Sequence, residues 1–455
     1  MVGAGPAGLL AALDAATVGH EVVVLEAADR VGGMAASVEV GGQRVDLGSH
    51  RLHPSTAPGL LARLHDLLGD DLQVRPRHGR ISLGGRWLAF PLRTGDLLAH
   101  LPPRLSLGAA RDAVTAPLRR PRADTFAEVV RAGLGPTIAD AFYRPYVTKL
   151  WGLPPEELTG ELARRRVSAR SAAGVLSRLV PRRAAATAKR TFLYPRTGFG
   201  AISEALADAA VAAGADLRLG TPVDRLVLDE DAITVGSGSE EVGAGRVWST
   251  APLPAVARWA EPAPPSAVLD AVAGLTLRGL VLVYLVVDRP RWTEYDAHYF
   301  PAADNPVARL SEPKNYRDGP DPADTTVLCA EVPADVGDAT WEATPEALGE
   351  LVRAALVRLG LPDPSPVGVE VRRLPRVYPR YRVGHEADLV AVEAWAAAHP
   401  RLLTFGRQGL FVPDNTHHAL AMGAAAAAAL AGDGSFDERA WRTAREGFRD
   451  HVVED

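Results

Sequence analysis

Three glycines stand at the head of the chain in the order Gly3-Ala4-Gly5-Pro6-Ala7-Gly8, and their G-x-G-x-x-G spacing suits the holding of a pyrophosphate. Gly3 permits a tight strand-to-helix turn, Gly5 lets backbone approach the phosphates, and Gly8 lets the next helix lie close on the sheet. That helix, expected over residues 6–18, begins with Pro6 and Ala7 and turns its unpaired N–H groups toward the anion. Leu9, Leu10, Leu13 and Ala16 recur along it with helical period. The apolar run Val22-Val23-Val24-Leu25 then ends in Glu26-Ala27. An acid at that point accepts hydrogen bonds from ribose hydroxyls and repels a 2′-phosphate, which argues against NADP. Arg30-Val31-Gly32-Gly33 follows closely. Only Met1 and Val2 precede Gly3, so either the first strand is very short or the natural chain has earlier residues.

Other chemistry-bearing residues are scattered. Gly48-Ser49-His50-Arg51-Leu52-His53 sets a glycine and a histidine after a strand, an arrangement for close approach to a flat ligand. His50, whose imidazole titrates near neutrality, is the candidate base or ring-tuning group, with a purely structural hydrogen bond as the equal alternative. His50 and His53 lack a third ligand nearby, so no metal site is expected. Phe142-Tyr143-Arg144-Pro145-Tyr146 and Lys149-Leu150-Trp151-Gly152 form an aromatic and basic cluster that suits either a core or a ligand. Late in the chain come Tyr378-Pro379-Arg380-Tyr381, Gly406-Arg407 after the strand Leu402-Leu403-Thr404, and Asp414-Asn415-Thr416-His417-His418 at a helix start. Cys329, the one cysteine, sits in the apolar run Val327-Leu328-Cys329-Ala330 and reads as a buried strand residue. A disulfide framework and multi-cysteine metal sites are thereby excluded.

The elements that must position these residues alternate along the chain. A hairpin is expected through Gly41-Gly42, then mostly helix over residues 94–190 with Pro117, Pro121, Pro145 and Pro181 as breakers. A helix over 201–213, strands at 216–219, 222–228 and 246–250, and their alternation signal a return to a parallel sheet. A β-rich stretch runs from 279 to 381, interrupted by a helix near 345–359 and a polar loop at 309–316. The alanine-rich residues 419–431 read as a closely packed helix, too short and small-sided to span a bilayer.

With 455 residues, 47% hydrophobic and 23% charged, the chain is expected to fold as two or three soluble domains. No secretory leader precedes the glycines, so a cytoplasmic location is expected. Net charge is only −5, and no nucleic-acid partner is expected. Its distribution is uneven: ten arginines from Arg75 to Arg122 face two acids, Asp96 and Asp112, and a second basic run holds Arg164, Arg165, Arg166, Arg170, Arg178, Arg182, Arg183, Lys189 and Arg190. These are either solvated helix faces or an electropositive cap that attracts an anionic substrate, a carrier protein or an acidic membrane surface.

Taken together, these pieces resemble the flavoproteins built like protoporphyrinogen oxidase, monoamine oxidase and UDP-galactopyranose mutase, almost from end to end. Gly3, Gly5, Gly8 and Glu26 are similar to that superfamily's ADP-binding motif, and Arg30, Gly32 and Gly33 to its R-x-G-G segment. Tyr194-Pro195-Arg196-Thr197-Gly198-Phe199-Gly200 resembles its Y-P-x-x-G-x-G segment, Thr250-Ala251-Pro252 its T-x-P turn, and Gly406-Arg407 its late G-R segment. Val223 falls where the family holds adenine through backbone. The resemblance implies noncovalent FAD, with Gly48, Ser49, His50, Asn415 and Thr416 near the flavin and His50, Arg407 and Tyr378 as catalytic candidates. It implies an α/β fold: a Rossmann-like FAD-binding domain (1–75, 191–262, 383–455), a helical insert (94–190) and a mainly antiparallel substrate domain (76–93, 263–382).

Gly48-Ser49-His50-Arg51-Leu52-His53, Lys149-Leu150-Trp151-Gly152 and Tyr378-Pro379-Arg380-Tyr381 are similar to the mutase branch. Val412-Pro413-Asp414-Asn415-Thr416 departs from the aromatic-Asn-Asn-Met-Asp segment usual there. The expected activity is FAD-dependent oxidoreduction of a small anionic molecule; a mutase-like isomerisation on reduced FAD is the alternative, and a non-catalytic flavin-binding protein the third reading.

Overall fold

The computed structural model describes residues 1–92, 94–167 and 190–453. At its centre a parallel sheet is assembled from five distant pieces of chain. Val2 bridges Leu25 on one side and Ser249 on the other, Val23–Leu25 pairs with Asp216–Arg218, and Val247–Ser249 pairs with Leu402–Thr404. The innermost strand is therefore Met1 and Val2 alone, fastened by Val2 N–H to Trp248 O at 2.8 Å and Leu25 N–H to Met1 O at 2.9 Å. Short apolar strands suffice here because both faces of the sheet are covered, one by helices and the other largely by a second, small sheet through Leu226, Leu228, Ile233 and Val235.

Three helices do much of that covering. Pro6–Thr17, with Leu9, Leu10 and Leu13 buried, packs against Ala201–Ala212 and Thr416–Ala428. A side chain at Gly423 would collide with the Ala7 carbonyl, so the alanine-rich helix lies on the first helix at backbone distance, as its composition predicts. The expected hairpin forms from Ser37–Val40 and Gln43–Asp46.

The β-rich half folds as one seven-stranded sheet. Its long strands are Leu277–Val287 and Thr326–Ala334 with Gly368–Pro379 at the edge, all antiparallel, and Gly79–Leu83 joins it in parallel with Ala297–Tyr299. The helix Pro345–Arg358 covers one face of the sheet. Against the other face lie cap helices, among them Phe126–Leu134, Arg144–Trp151 and Gly160–Arg166, whose Phe126, Leu150, Trp151 and Leu162 share a core with Leu280, Tyr284 and Tyr381. Cys329 is buried within its strand, and that environment raises its thiol pKa out of the reactive range.

Two expectations need correction. The strand at 222–228 begins only at Arg225 and belongs to a separate four-stranded sheet, with the hairpin Ile233–Ser237 and Glu240–Ala244 and the short strand Ala260–Glu261. The stretch from 309 to 316 is not all loop: Arg309–Ser311 pairs with Thr326–Ala334, because Leu310 and Ser311 are buried between neighbouring strands. Of the second basic run, Arg170, Arg178, Arg182, Arg183 and Lys189 lie outside the described residues, as does Arg93.

Candidate active site

A cavity of about 980 Å³ runs from the edge of the parallel sheet to the face of the seven-stranded sheet. At its nucleotide end the glycine turn behaves as its spacing requires. Gly3 has φ +98°, and a side chain there would collide with the Thr250 hydroxyl; one at Gly8 would collide with the Gly3 carbonyl. A Cβ at Gly5, by contrast, meets nothing within 4 Å, so the bare backbone beside it opens onto the cavity. The loop carrying Gly32 and Gly33 is tied to this turn by Gly32 N–H donating to Ala4 O at 2.8 Å. Glu26 is held at the strand end by Ala4 N–H at 2.7 Å and Ala28 N–H at 3.0 Å. Ala27, Val223, Thr250, Ala251 and Pro252 complete this end with Pro6 and Ala7.

The far end is made of side chains. Gly48, at φ +103°, brings Ser49 N–H to 2.8 Å from Glu331 Oε1. The same oxygen accepts from Arg309 Nε at 3.0 Å and Nη2 at 2.7 Å. Burial alone would disfavour the Arg309 charge, but Glu331 overrides it and holds the guanidinium firmly protonated. Arg51 donates to Asp296 at 3.0 Å and lies between the rings of Phe192 and Tyr316. Both of these arginines are neutralised by carboxylates.

Arg407 is different. It donates to the carbonyls of Asp414 at 2.6 Å and Val377 at 3.0 Å, and its Nε is buried with no protein partner. Burial, and then the neighbouring charge of Arg166, lower its pKa to about 10, so it still carries its charge at neutral pH. Among the described residues neither Arg407 nor Arg166 has a salt-bridge carboxylate, and both line the cavity with Tyr378 and Tyr146. The Asp414 carboxylate, the nearest acid, is taken by His451 Nδ1 at 2.6 Å and by Arg165.

His50 also lines the wall, stacked on Phe199 at 5.3 Å, with Nε2 3.1 Å from the Leu47 carbonyl. Burial lowers its pKa, so at neutral pH the ring is neutral and Nε2 donates to Leu47. The remaining lone pair is then on Nδ1.

Nearly all the residues singled out from sequence meet in this one cavity, including Gly406, Asn415 and Thr416. Two do not line it. Gly8 sits behind the turn, where it serves close packing, and Arg30 is turned outward onto Asp29, with Nε 2.8 Å from Oδ1. The aromatic cluster divides: Trp151 is core, its Nε1 donating to Pro379 O at 3.1 Å, whereas Tyr146 faces the cavity. His53 bonds the Ser55 side chain rather than a metal partner of His50. Asp414, His418 and His451 do gather their ligand atoms within 4.8 Å. Of these, His418 also serves the helix cap, accepting the Asn415 N–H at Nδ1, and its ring stacks near-parallel on that of His451 at 4.1 Å.

Arg51, Arg309 and Glu331 escaped the sequence reading as site residues, while Tyr146 and Arg166 enter it only within the aromatic cluster and the second basic run. The available signal for Glu331 was a charge inside a largely apolar nine-residue strand, Thr326–Ala334, that is buried along its whole length.

The open space beside Gly5, the free lone pairs of Glu26 and the turn at Thr250 fit an adenine dinucleotide, and the side-chain-walled chamber beyond leaves room for its second ring system and a substrate. The family profile described as flavin containing amine oxidoreductase matches residues 6–431, and the chain belongs to that family of oxidoreductases. Its cofactor is FAD. Putrescine oxidase from Kocuria rosea is 43% identical over 79 residues, a match spanning 17% of this chain and 16% of that relative. A crystal structure of reduced UDP-galactopyranose mutase is similar with TM-score 0.82 and 21% identity, covering 100% of this chain and 99% of that one. A putative protoporphyrinogen oxidase from Exiguobacterium sp. 255-15 has TM-score 0.72 and 21% identity, covering 94% and 98%. At such identities the structural likeness establishes the fold.

Proposed function

We propose that the chain is an oxidase or dehydrogenase that removes hydride from a C–H bond, oxidising a carbon centre or a C–N unit of a small anionic molecule. The observation that carries this reading is the pair Arg407 and Arg166, two cations in the wall of a flavin cavity without a salt-bridging carboxylate. A half-buried positive pair of this kind is stabilised by an incoming anion, and guanidinium forks suit carboxylate or phosphate.

FAD, when bound, supplies a two-electron acceptor at the flavin ring. Gly5, Glu26 and Thr250 hold the nucleotide half, and Gly48, Ser49, Asn415 and Thr416 border the other. Arg407 and Arg166 bind and orient the substrate anion, with Tyr378 and Tyr146 against its body. Leu47, Leu280, Leu374 and Val377 keep this part of the wall apolar and limit water. His50 receives the substrate proton at Nδ1, since its Nε2–H is committed to Leu47.

A second reading is a mutase-like isomerisation of a nucleotide sugar on reduced FAD. Its support is the fold match over both whole chains together with arginines suited to a diphosphate. One experiment separates the two. The purified protein is checked for released FAD by its spectrum after denaturation, then offered candidate anionic substrates with oxidised flavin under oxygen and with dithionite-reduced flavin. Substrate oxidation with peroxide formed or an electron acceptor consumed supports the oxidoreductase. Turnover only in the reduced state, with no acceptor consumed, overturns it in favour of the isomerase.

A further inference from the structure

We propose that the cap helix Pro103–Thr115 and the turn that follows it form a docking face for an anionic lipid surface. Leu107, Val114 and Leu118 are 76%, 80% and 84% exposed, the three highest values among the described large apolar side chains. They fall within twelve residues of one another. Leu107 and Val114, seven apart, lie on one helix face, and Leu118 follows one turn later. The opposite face of the helix is committed inward: Leu105 packs beneath Ile81, Leu88 and Tyr299, and Asp112 is buried, accepting from Thr137 N–H at 2.8 Å. The apolar ridge is therefore surplus to the core of the cap.

Charge identifies what covers it. Arg104 and Arg111 flank the ridge on the same side of the helix, and Arg120 and Arg122 follow, all exposed. Between residues 101 and 123 the only acid is Asp112, which is buried. Arg111 reaches Asp112 at 3.6 Å, but a second copy placed symmetrically on this face would still set arginines against arginines with no exposed carboxylate within residues 101–123 to answer them. Three aliphatic side chains also make too narrow a strip for a stable protein interface, which needs about 800 Å² from each partner. Shallow insertion among acyl chains, with guanidinium groups at the phosphate level, satisfies both the ridge and its charges. No helix of the described residues is long and apolar enough to cross a membrane, so the contact is peripheral. Leu105 packs against the cluster that contains Tyr299, a residue of the cavity wall.

The test uses flotation of the full-length, flavin-loaded protein with vesicles of phosphatidylcholine alone or mixed with phosphatidylglycerol. Wild type should bind the mixed vesicles at least about tenfold better than the neutral ones, with the preference weakening as salt rises. Replacing Leu107, Val114 and Leu118 together by Ser should lower binding about tenfold while flavin content and circular dichroism stay unchanged, the sites being exposed. Arg104→Gln with Arg111→Gln should erase the preference for the charged lipid. Equal binding to both vesicle types, or a triple variant that binds as wild type does, overturns the proposal. So does a dimer seen by sedimentation that the triple variant dissolves, since the face would then belong to a second copy.

Discussion

At the nucleotide end of the cavity recognition is carried by backbone: Gly3 supplies a positive φ, Gly5 an open surface and Gly8 room for helix packing, within six residues of sequence. At the substrate end it is carried by side chains from widely separated elements. Arg309 and Glu331 come from neighbouring strands, Tyr378 from the end of a third, Tyr146 and Arg166 from cap helices, and Arg407 from the short helical turn Gly406–Gly409 after the last parallel strand. Backbone recognition of a constant group needs glycine at fixed intervals and tolerates little else. Side-chain recognition can be rewritten residue by residue without disturbing the scaffold, which explains how one family hosts different substrates.

The contrast can be broken most severely at Gly5. A leucine there meets no protein atom within 4 Å but fills the cradle, so Gly5→Leu should abolish flavin absorbance while leaving the circular dichroism intact. Glu26→Lys should also strip the yellow colour; a fully loaded variant would mean that Glu26 does not hold the ribose. Gly3→Leu is the harsher case, because strain at φ +98° and the collision with Thr250 act on the fold itself, and soluble protein should be lost.

At the other end, Arg407→Met should leave FAD bound yet lower kcat/KM on the anionic substrate by roughly 10²-fold, a loss of about 3 kcal/mol in transition-state binding. Steady-state kinetics on flavin-normalised enzyme decide this, and unchanged kinetics would remove Arg407 from the substrate site. Glu331→Gln tests a paired charge instead: it leaves Arg309 buried without its counter-ion and should destabilise the fold by about 3 kcal/mol in denaturant titration.

The smallest effect concerns His50. Its folded pKa is lowered below the ordinary 6.5, so between those two values the unfolded chain binds a proton that the folded chain refuses. Stability should therefore rise with pH through that window and flatten above it, and activity that needs the neutral ring should fall as acid protonates it. His50→Gln should flatten its share of both profiles; an unchanged acid limb of kcat/KM would reduce His50 to a structural neighbour of Phe199.

The two ends were also unequally legible from residue order. The glycine turn, Glu26, Thr250 and Gly406 could be found because each is a local device whose constraint, a turn or a strand end, is expressed in adjacent residues. Arg309 was read as part of a polar loop, although Leu310 and Ser311 beside it are buried in the sheet. Glu331 looked like any charge near a strand, because what distinguishes it is the approach of Ser49, 282 positions away. The strand at 225–228 was assigned to the parallel sheet on the strength of βα alternation, whereas hydrogen bonding to Ile233–Ser237 draws it into a separate sheet.

The order of residues alone determined a dinucleotide site, the turn that grips it and the alternation of helix and strand, since each depends on conformational freedom and periodicity within a few residues. Tertiary structure decided which arginines are answered by acids and which are left facing the cavity. A charge is neutralised by whatever lies within a few ångströms of it, and for Arg51, Arg309 and Arg407 those neighbours are brought close only by the fold.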